Sequence, residues 1–165
     1  MNKKYLVLGL GLLMILLMIG SAFFSFEGEE EGFNYNGYYF YKTGNIWNTN
    51  YNGQVMQLEY NPRDVENIQN FQVLNGKAVY FFYESENDAI NFLKTVFQFG
   101  GFTFVPEKIE DCKTETSVNL IYVEYNEEIK EPIISKRDNC ILLSGDSYSL
   151  KKIAYYYLYK FMGIF

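Results

Sequence analysis

The stretch Tyr38–Tyr60, YYFYKTGNIWNTNYNGQVMQLEY, alternates aromatic and polar residues and is cut twice by turn dipeptides, Gly44-Asn45 and Asn52-Gly53. Alternation with a period of two is the mark of a strand with one covered face. Asn-Gly is the favoured two-residue hairpin signal, because both positions accept positive φ. The stretch therefore predicts a three-stranded meander: Tyr38 to Lys42, Ile46 to Tyr51 and Gln54 to Tyr60. Asn61-Pro62 ends it, since proline cannot donate to a ladder and pushes the residue before it into extended conformation.

Beyond a connection over residues 61–76, with one helical turn expected around Asp64 to Asn67, the pattern changes. Ala78 to Tyr83 is a continuous apolar run of strand length, as in a strand covered on both faces. Ser85 is placed to cap a helix from Glu86 to Phe99, with Ala89, Phe92, Leu93, Val96 and Phe97 on one face and Gly100-Gly101 after its end. Val118 to Tyr125 reads as a fifth strand, Ile133-Ile134 as a short edge and Cys140 to Leu143 as a sixth strand. A last helix is expected from Ser149 to Met162, its buried stripe formed by Leu150, Ile153, Ala154, Tyr157, Leu158 and Phe161. Five to six strands, mostly hairpin-connected, and two amphipathic helices predict an α+β domain: a mainly antiparallel sheet with both helices on one face.

Upstream of this domain lies a different kind of sequence. Asn2-Lys3-Lys4 precede the uncharged run Tyr5 to Phe26, and Glu27-Gly28-Glu29-Glu30-Glu31 follow it. A bilayer-spanning helix needs about 20 apolar residues, and basic flanks stay on the cytoplasmic side. Residues 1–4 are thus read as a cytoplasmic N-terminus, 5–26 as a transmembrane anchor held in the lipid bilayer, 27–34 as an acidic spacer and 35–165 as an extracytoplasmic domain. The competing reading is a secretory signal with a small-residue cleavage site at Gly20-Ser21-Ala22. A signal core spans about 7–15 residues, and this run exceeds that length.

Composition bounds the function. Two of the 14 basic residues precede the apolar run, so the remainder carries 12 basic and 20 acidic side chains, a net of 12 − 20 = −8. That balance argues against a nucleic-acid partner. There is no histidine, so Ser-His and Cys-His nucleophiles are excluded and the commonest neutral-pH general base is missing. A carboxylate pair drawn from Glu59, Asp64, Glu66, Glu84, Glu86, Asp88, Asp111, Glu124 and Asp138 could still serve a small hydrolase acting on envelope glycan or peptide. No spacing singles out two of them, and no cofactor or metal motif is present.

Cys112 and Cys140 are the two cysteines. Outside the cytoplasm an even pair reads first as a disulfide, the rivals being two free thiols or a metal site completed by carboxylates or a second chain. Tyrosine (16) and phenylalanine (15) are abundant, and large flat side chains suit glycan or protein recognition. An AT-rich genome would produce the same bias without selection for binding. The candidate binding residues are Tyr38, Tyr39, Tyr41 and Trp47 on the meander and Tyr155, Tyr156 and Tyr159 on the last helix, of which strand alternation must turn about half of the meander set inward.

Asn61-Pro62 with Glu66-Asn67-Ile68, Asn139-Cys140-Ile141 with Gly145, and Leu158-Tyr159-Lys160-Phe161-Met162-Gly163-Ile164 resemble stretches of small membrane-anchored proteins encoded by archaea with reduced genomes. The resemblance runs over most of residues 35–165 and implies an outward-facing anchored domain, with no activity or catalytic residue attached. The expected role is binding or assembly at the cell surface.

Overall fold

Two Asn-Gly dipeptides and one Gly-Asn shape the first sheet. Asn36 and Gly37 take φ of 45° and 87°, and Asn52 and Gly53 take 51° and 80°, the double positive φ of a tight hairpin turn. In the computed structural model, which describes residues 32–69, 74, 76–105, 111–113 and 117–165, these turns join β1 (Gly32–Tyr35), β2 (Tyr38–Thr43), β3 (Ile46–Tyr51) and β4 (Gln54–Leu58). The strands lie in sequence order as sheet A. Phe40 sits opposite Thr49 and Trp47 opposite Leu58, so antiparallel register places Phe40, Trp47, Thr49, Met56 and Leu58 on one face. The expected meander is present, with an additional strand: Gly32 to Asn34, assigned to the end of the spacer, belong to β1.

A capping box closes sheet A. The Asn61 side chain accepts from the Arg63 N–H and Asp64 accepts from the Asn61 N–H, at 2.9 and 2.8 Å, around a single 3-10 turn at Pro62–Asp64.

The second sheet corrects the antiparallel expectation. Sheet B contains β5 (Ala78–Tyr83), β6 (Thr103–Phe104), β7 (Asn119–Tyr125), β8 (Ile133–Arg137) and β9 (Cys140–Gly145) in the order β6-β5-β7-β9-β8. The pairs β5–β6, β5–β7 and β7–β9 are parallel, and only β8–β9 is antiparallel. Parallel neighbours need a crossover of a dozen or more residues, and helix α1 (Asp88–Phe99) supplies one between β5 and β6. The β8–β9 hairpin then inserts β9 beside β7. The fold is α+β, with two helices and nine strands in two sheets among the described residues.

Both helices lie over one face of sheet B. Helix α1 starts at Asn87, whose side chain accepts from the Ile90 N–H at 3.0 Å, rather than at the expected Ser85. Its buried face (Ala89, Ile90, Leu93, Val96, Phe97) meets Phe81, with Phe81 and Phe97 ring centroids 5.3 Å apart. Helix α2 (Ser147–Phe161) is capped by Asp146, which accepts from the Ser149 N–H at 2.8 Å; Ser149, the expected cap, instead donates its hydroxyl to Lys130 O. The helices touch through Phe97 and Tyr157 at 5.0 Å, and at Gly100 a Cβ would lie 2.5 Å from the Phe161 ring, so glycine there permits the close approach.

On its other side α2 meets the inner face of sheet A. Phe40 packs edge-on against Tyr159, and the Tyr159 hydroxyl donates to the Tyr60 carbonyl. One apolar cluster thus runs from Phe40 and Leu58 through both helices to Val79, Ile121, Val123 and Leu143. Full burial of each such side chain contributes about 1.5–3 kcal/mol. Residues Phe33–Phe165 form one compact unit.

The opposite face of sheet B carries a smaller cluster: Cys112, Leu120 and Cys140, with Tyr80, Phe82, Val118 and Tyr122 against it. Cys112 and Cys140 form a disulfide with Cα atoms 5.2 Å apart. It ties the segment between β6 and β7 to the first residue of β9. No helix among the described residues is long and apolar enough to cross a membrane, and the predicted anchor, residues 5–26, lies outside the described residues, as do residues 1–4 and 27–31 of the expected N-terminus and spacer.

Candidate functional site

Strand alternation divides the tyrosines of the meander. Tyr38 and Trp47 turn inward: the Tyr38 hydroxyl donates to Met162 O at 3.3 Å, Tyr38 stacks on Tyr51, and the Trp47 ring meets Phe33 edge-on at 5.4 Å. Tyr39 and Tyr41 turn outward. Their rings stack on each other, 6.1 Å between centroids and 19° between planes, and Tyr39 is 49% exposed.

Among the described residues, nothing packs over the outer face they occupy. Ile46 and Val55 share it at 41% and 59% exposure, with Asn34, Thr43, Asn50 and Gln57 exposed beside them. Asn48, also on this side, is buried and committed: its amide donates to Thr43 Oγ1 at 3.2 Å and Ile46 O at 3.3 Å, bracing the β2–β3 turn. Thr49 donates to Tyr39 O at 3.0 Å from the inner side. The platform under Tyr39 and Tyr41 is therefore tied on both faces. No Asp, Glu, Lys or Arg points out of it, although one residue in five of the chain is charged (21%).

The helix tyrosines are placed elsewhere. Tyr155, Tyr156 and Tyr159 are buried, at 7%, 8% and 0% exposure, and so leave the candidate binding face. The physical reason is the second cover: α2 is enclosed by sheet B on one side and sheet A on the other, and a helix with two apolar neighbours buries most of its circumference. Each phenol finds a partner or an apolar wall. Tyr155 Oη accepts from the Glu59 N–H at 2.9 Å, and Tyr159 donates to Tyr60 O. Burial pushes the Tyr159 hydroxyl far above its ordinary range; burial raises Tyr155 as well, against a smaller opposing pull from the Glu59 N–H.

Most of the acidic candidates are spent on structure. Glu59 pairs with Lys151 at 3.2 Å, Glu86 with Lys94 at 2.8 Å, Glu66 accepts from the Tyr35 hydroxyl at 2.5 Å, and Asp64 completes the capping box. Asp138 takes φ 52° in the β8–β9 turn. Three hollows among the described residues each hold two carboxylates: Asp64 with Glu131, Asp111 with Asp138, and Glu84 with Glu124, of which the last lies at the ends of parallel strands. Glu84 and Glu124 line a hollow of about 200 Å³ with Ser85, Ile90 and Tyr122 to Asn126, at the carboxyl ends of the adjacent parallel strands β5 and β7. Open α/β sheets bind ligands at that edge. Glu124 accepts from the Ser144 hydroxyl at 3.0 Å. Among the described residues, no three Cys, Asp or Glu side chains are grouped to hold a metal ion.

Asn36-Gly37 is the signal that would have revealed β1, since it is the same dipeptide as the turn at Asn52-Gly53. The Glu84–Glu124 cleft had no comparable signal: the two residues are 40 positions apart and meet only through parallel pairing. No protein-family model, curated protein or solved structure matches this chain.

Proposed function

We propose that this chain is a membrane-anchored extracytoplasmic binding protein and that it engages its partner through the outer face of sheet A. The observation that carries the reading is the stacked pair Tyr39–Tyr41 on a charge-free sheet face that no described residue covers, while the opposite side packs on α2. Rigid aromatic rings on a braced platform give contact area at small entropic cost. The anchor follows from the uncharged run of residues 5–26 and its basic and acidic flanks, and the resemblance to anchored archaeal proteins supports the same address.

The reading is tested in two steps on the full chain in intact cells. Protease added from outside removes the domain and spares the anchor; protection of the domain overturns the topology. A photo-crosslinking residue at position 39 gives a discrete adduct that the same residue at exposed position 128 does not. Equal labelling at both positions, or labelling at 128 alone, overturns the binding face.

A second reading rests on the Glu84–Glu124 cleft, which supports a carboxylate-dependent hydrolase of envelope glycan or peptide. It predicts that Glu84→Gln and Glu124→Gln each abolish turnover while leaving the fold intact. Turnover unchanged in both variants removes it.

A further inference from the structure

The charge pattern of the outer face narrows the partner, on the assumption that this face is the binding face. We infer that it takes a neutral glycan chain. The residues after the apolar run carry a net charge of 12 − 20 = −8, yet the outward positions of all four strands of sheet A and the turns Asn36-Gly37, Gly44-Asn45 and Asn52-Gly53 carry no ionised side chain.

Such a face is a poor match for an acidic polysaccharide. It offers no cation to pair with carboxylates or sulfates, and the domain's overall field repels them. The outward strand positions also offer no ion-pairing group with which a protein partner could fix register. What it does offer is suited to sugars. The flat rings of Tyr39, half exposed, and of Tyr41 beside it are suited to stack on the apolar C–H faces of pyranose rings. Asn34, Asn50 and Gln57 flank them with amides that both donate and accept, as neutral hydroxyl groups require. Four strands at sheet spacing make a platform about 14 Å wide, room for a short run of sugar rings. The platform itself does not have to reorganise, because Asn48 and Thr49 brace its backbone.

The test uses the full chain in detergent micelles, run through native gels containing a soluble neutral β-glucan, a neutral mannan or the acidic polygalacturonate. Retardation is expected in at least one neutral gel and not in polygalacturonate. Tyr39→Ala and Tyr41→Ala each weaken it about tenfold by removing a stacking ring, and Tyr39→Phe retains it. Retardation by polygalacturonate, by neither neutral polysaccharide, or by a neutral polysaccharide equally in both alanine variants overturns the inference. The position-39 crosslink separates this from the parent reading. A discrete protein adduct without glycan retardation refutes the glycan and leaves the binding face standing, whereas absence of both refutes the two together.

Discussion

In sheet A every connection is a two-residue turn, and each strand pairs with its neighbour in the chain. In sheet B only β8 and β9 are joined that way; β5 reaches β6 through α1, and β9 inserts between β7 and β8. The two sheets also differ in cover. Among the described residues, sheet A packs one face on α2 and leaves the other open, whereas sheet B has helices on one face and the disulfide with half-buried aromatics on the other. Local pairing thus coincides with the face left open, and non-local pairing with the two-sided core.

If the stability of the domain resides in the helix-covered face of sheet B, Phe97→Ala will have the largest effect. Phe97 is fully buried and meets Phe81, Phe102, Tyr157 and Phe161, so its loss is expected to cost about 3–5 kcal/mol in urea unfolding. A loss below 1 kcal/mol would place the stability elsewhere. The other face of sheet B is probed by replacing Cys112 and Cys140 with serine. A bridge across a sequence separation of 28 contributes about 3–4 kcal/mol on the chain-entropy account, and the same drop should appear on reduction of the unmodified chain.

Sheet A is broken most easily at a turn. Gly53→Ala forces a side chain into φ 80° and is expected to lose about 1–2 kcal/mol, read as a lower Tm; no change would mean that the hairpin tolerates another turn type. Asp146→Ala removes the α2 cap and should cost about 1 kcal/mol at pH 7. The Asp146 carboxyl is held below its ordinary value, first by the Ser149 N–H, with the Lys130 ammonium adding to it. A depressed folded-state pKa stabilises above the unfolded value and loses that contribution as pH falls through the folded one. The difference between Asp146→Ala and the unmodified chain should therefore shrink below about pH 4 in denaturant titrations. Smallest of all, Val55→Thr on the open face should change stability by less than about 0.5 kcal/mol. A larger loss would show that this face is covered after all.

The same contrast explains what was legible in the sequence. The meander, α1, the last helix and its approximate ends follow from turn dipeptides, caps and periodicity, all of which act within a few residues. The caps themselves moved by two or three positions, from Ser85 to Asn87 and from Ser149 to Asp146, because each region offers several side chains able to accept from the first turn. Ala78 to Tyr83 carried the apolar run of a doubly covered strand, but nothing in the run states that its neighbours are parallel. On the candidate face, alternation correctly separated the meander tyrosines into two sets without saying which set faced out.

By itself, then, the sequence determined the α+β class, the hairpins at Gly44-Asn45 and Asn52-Gly53, and the helix faces that bury Leu93 and Ile153, and it favoured the disulfide that the structure shows. Only the tertiary structure decided the strand order of sheet B, the hollow shared by Glu84 and Glu124, and the outward placement of Tyr39 and Tyr41 against the burial of Tyr155, Tyr156 and Tyr159. The reason is physical. Turns, caps and helix stripes are set by interactions among neighbours in the chain, whereas tyrosine is equally suited to water and to a satisfied interior, so its place depends on what a distant sheet brings to cover it.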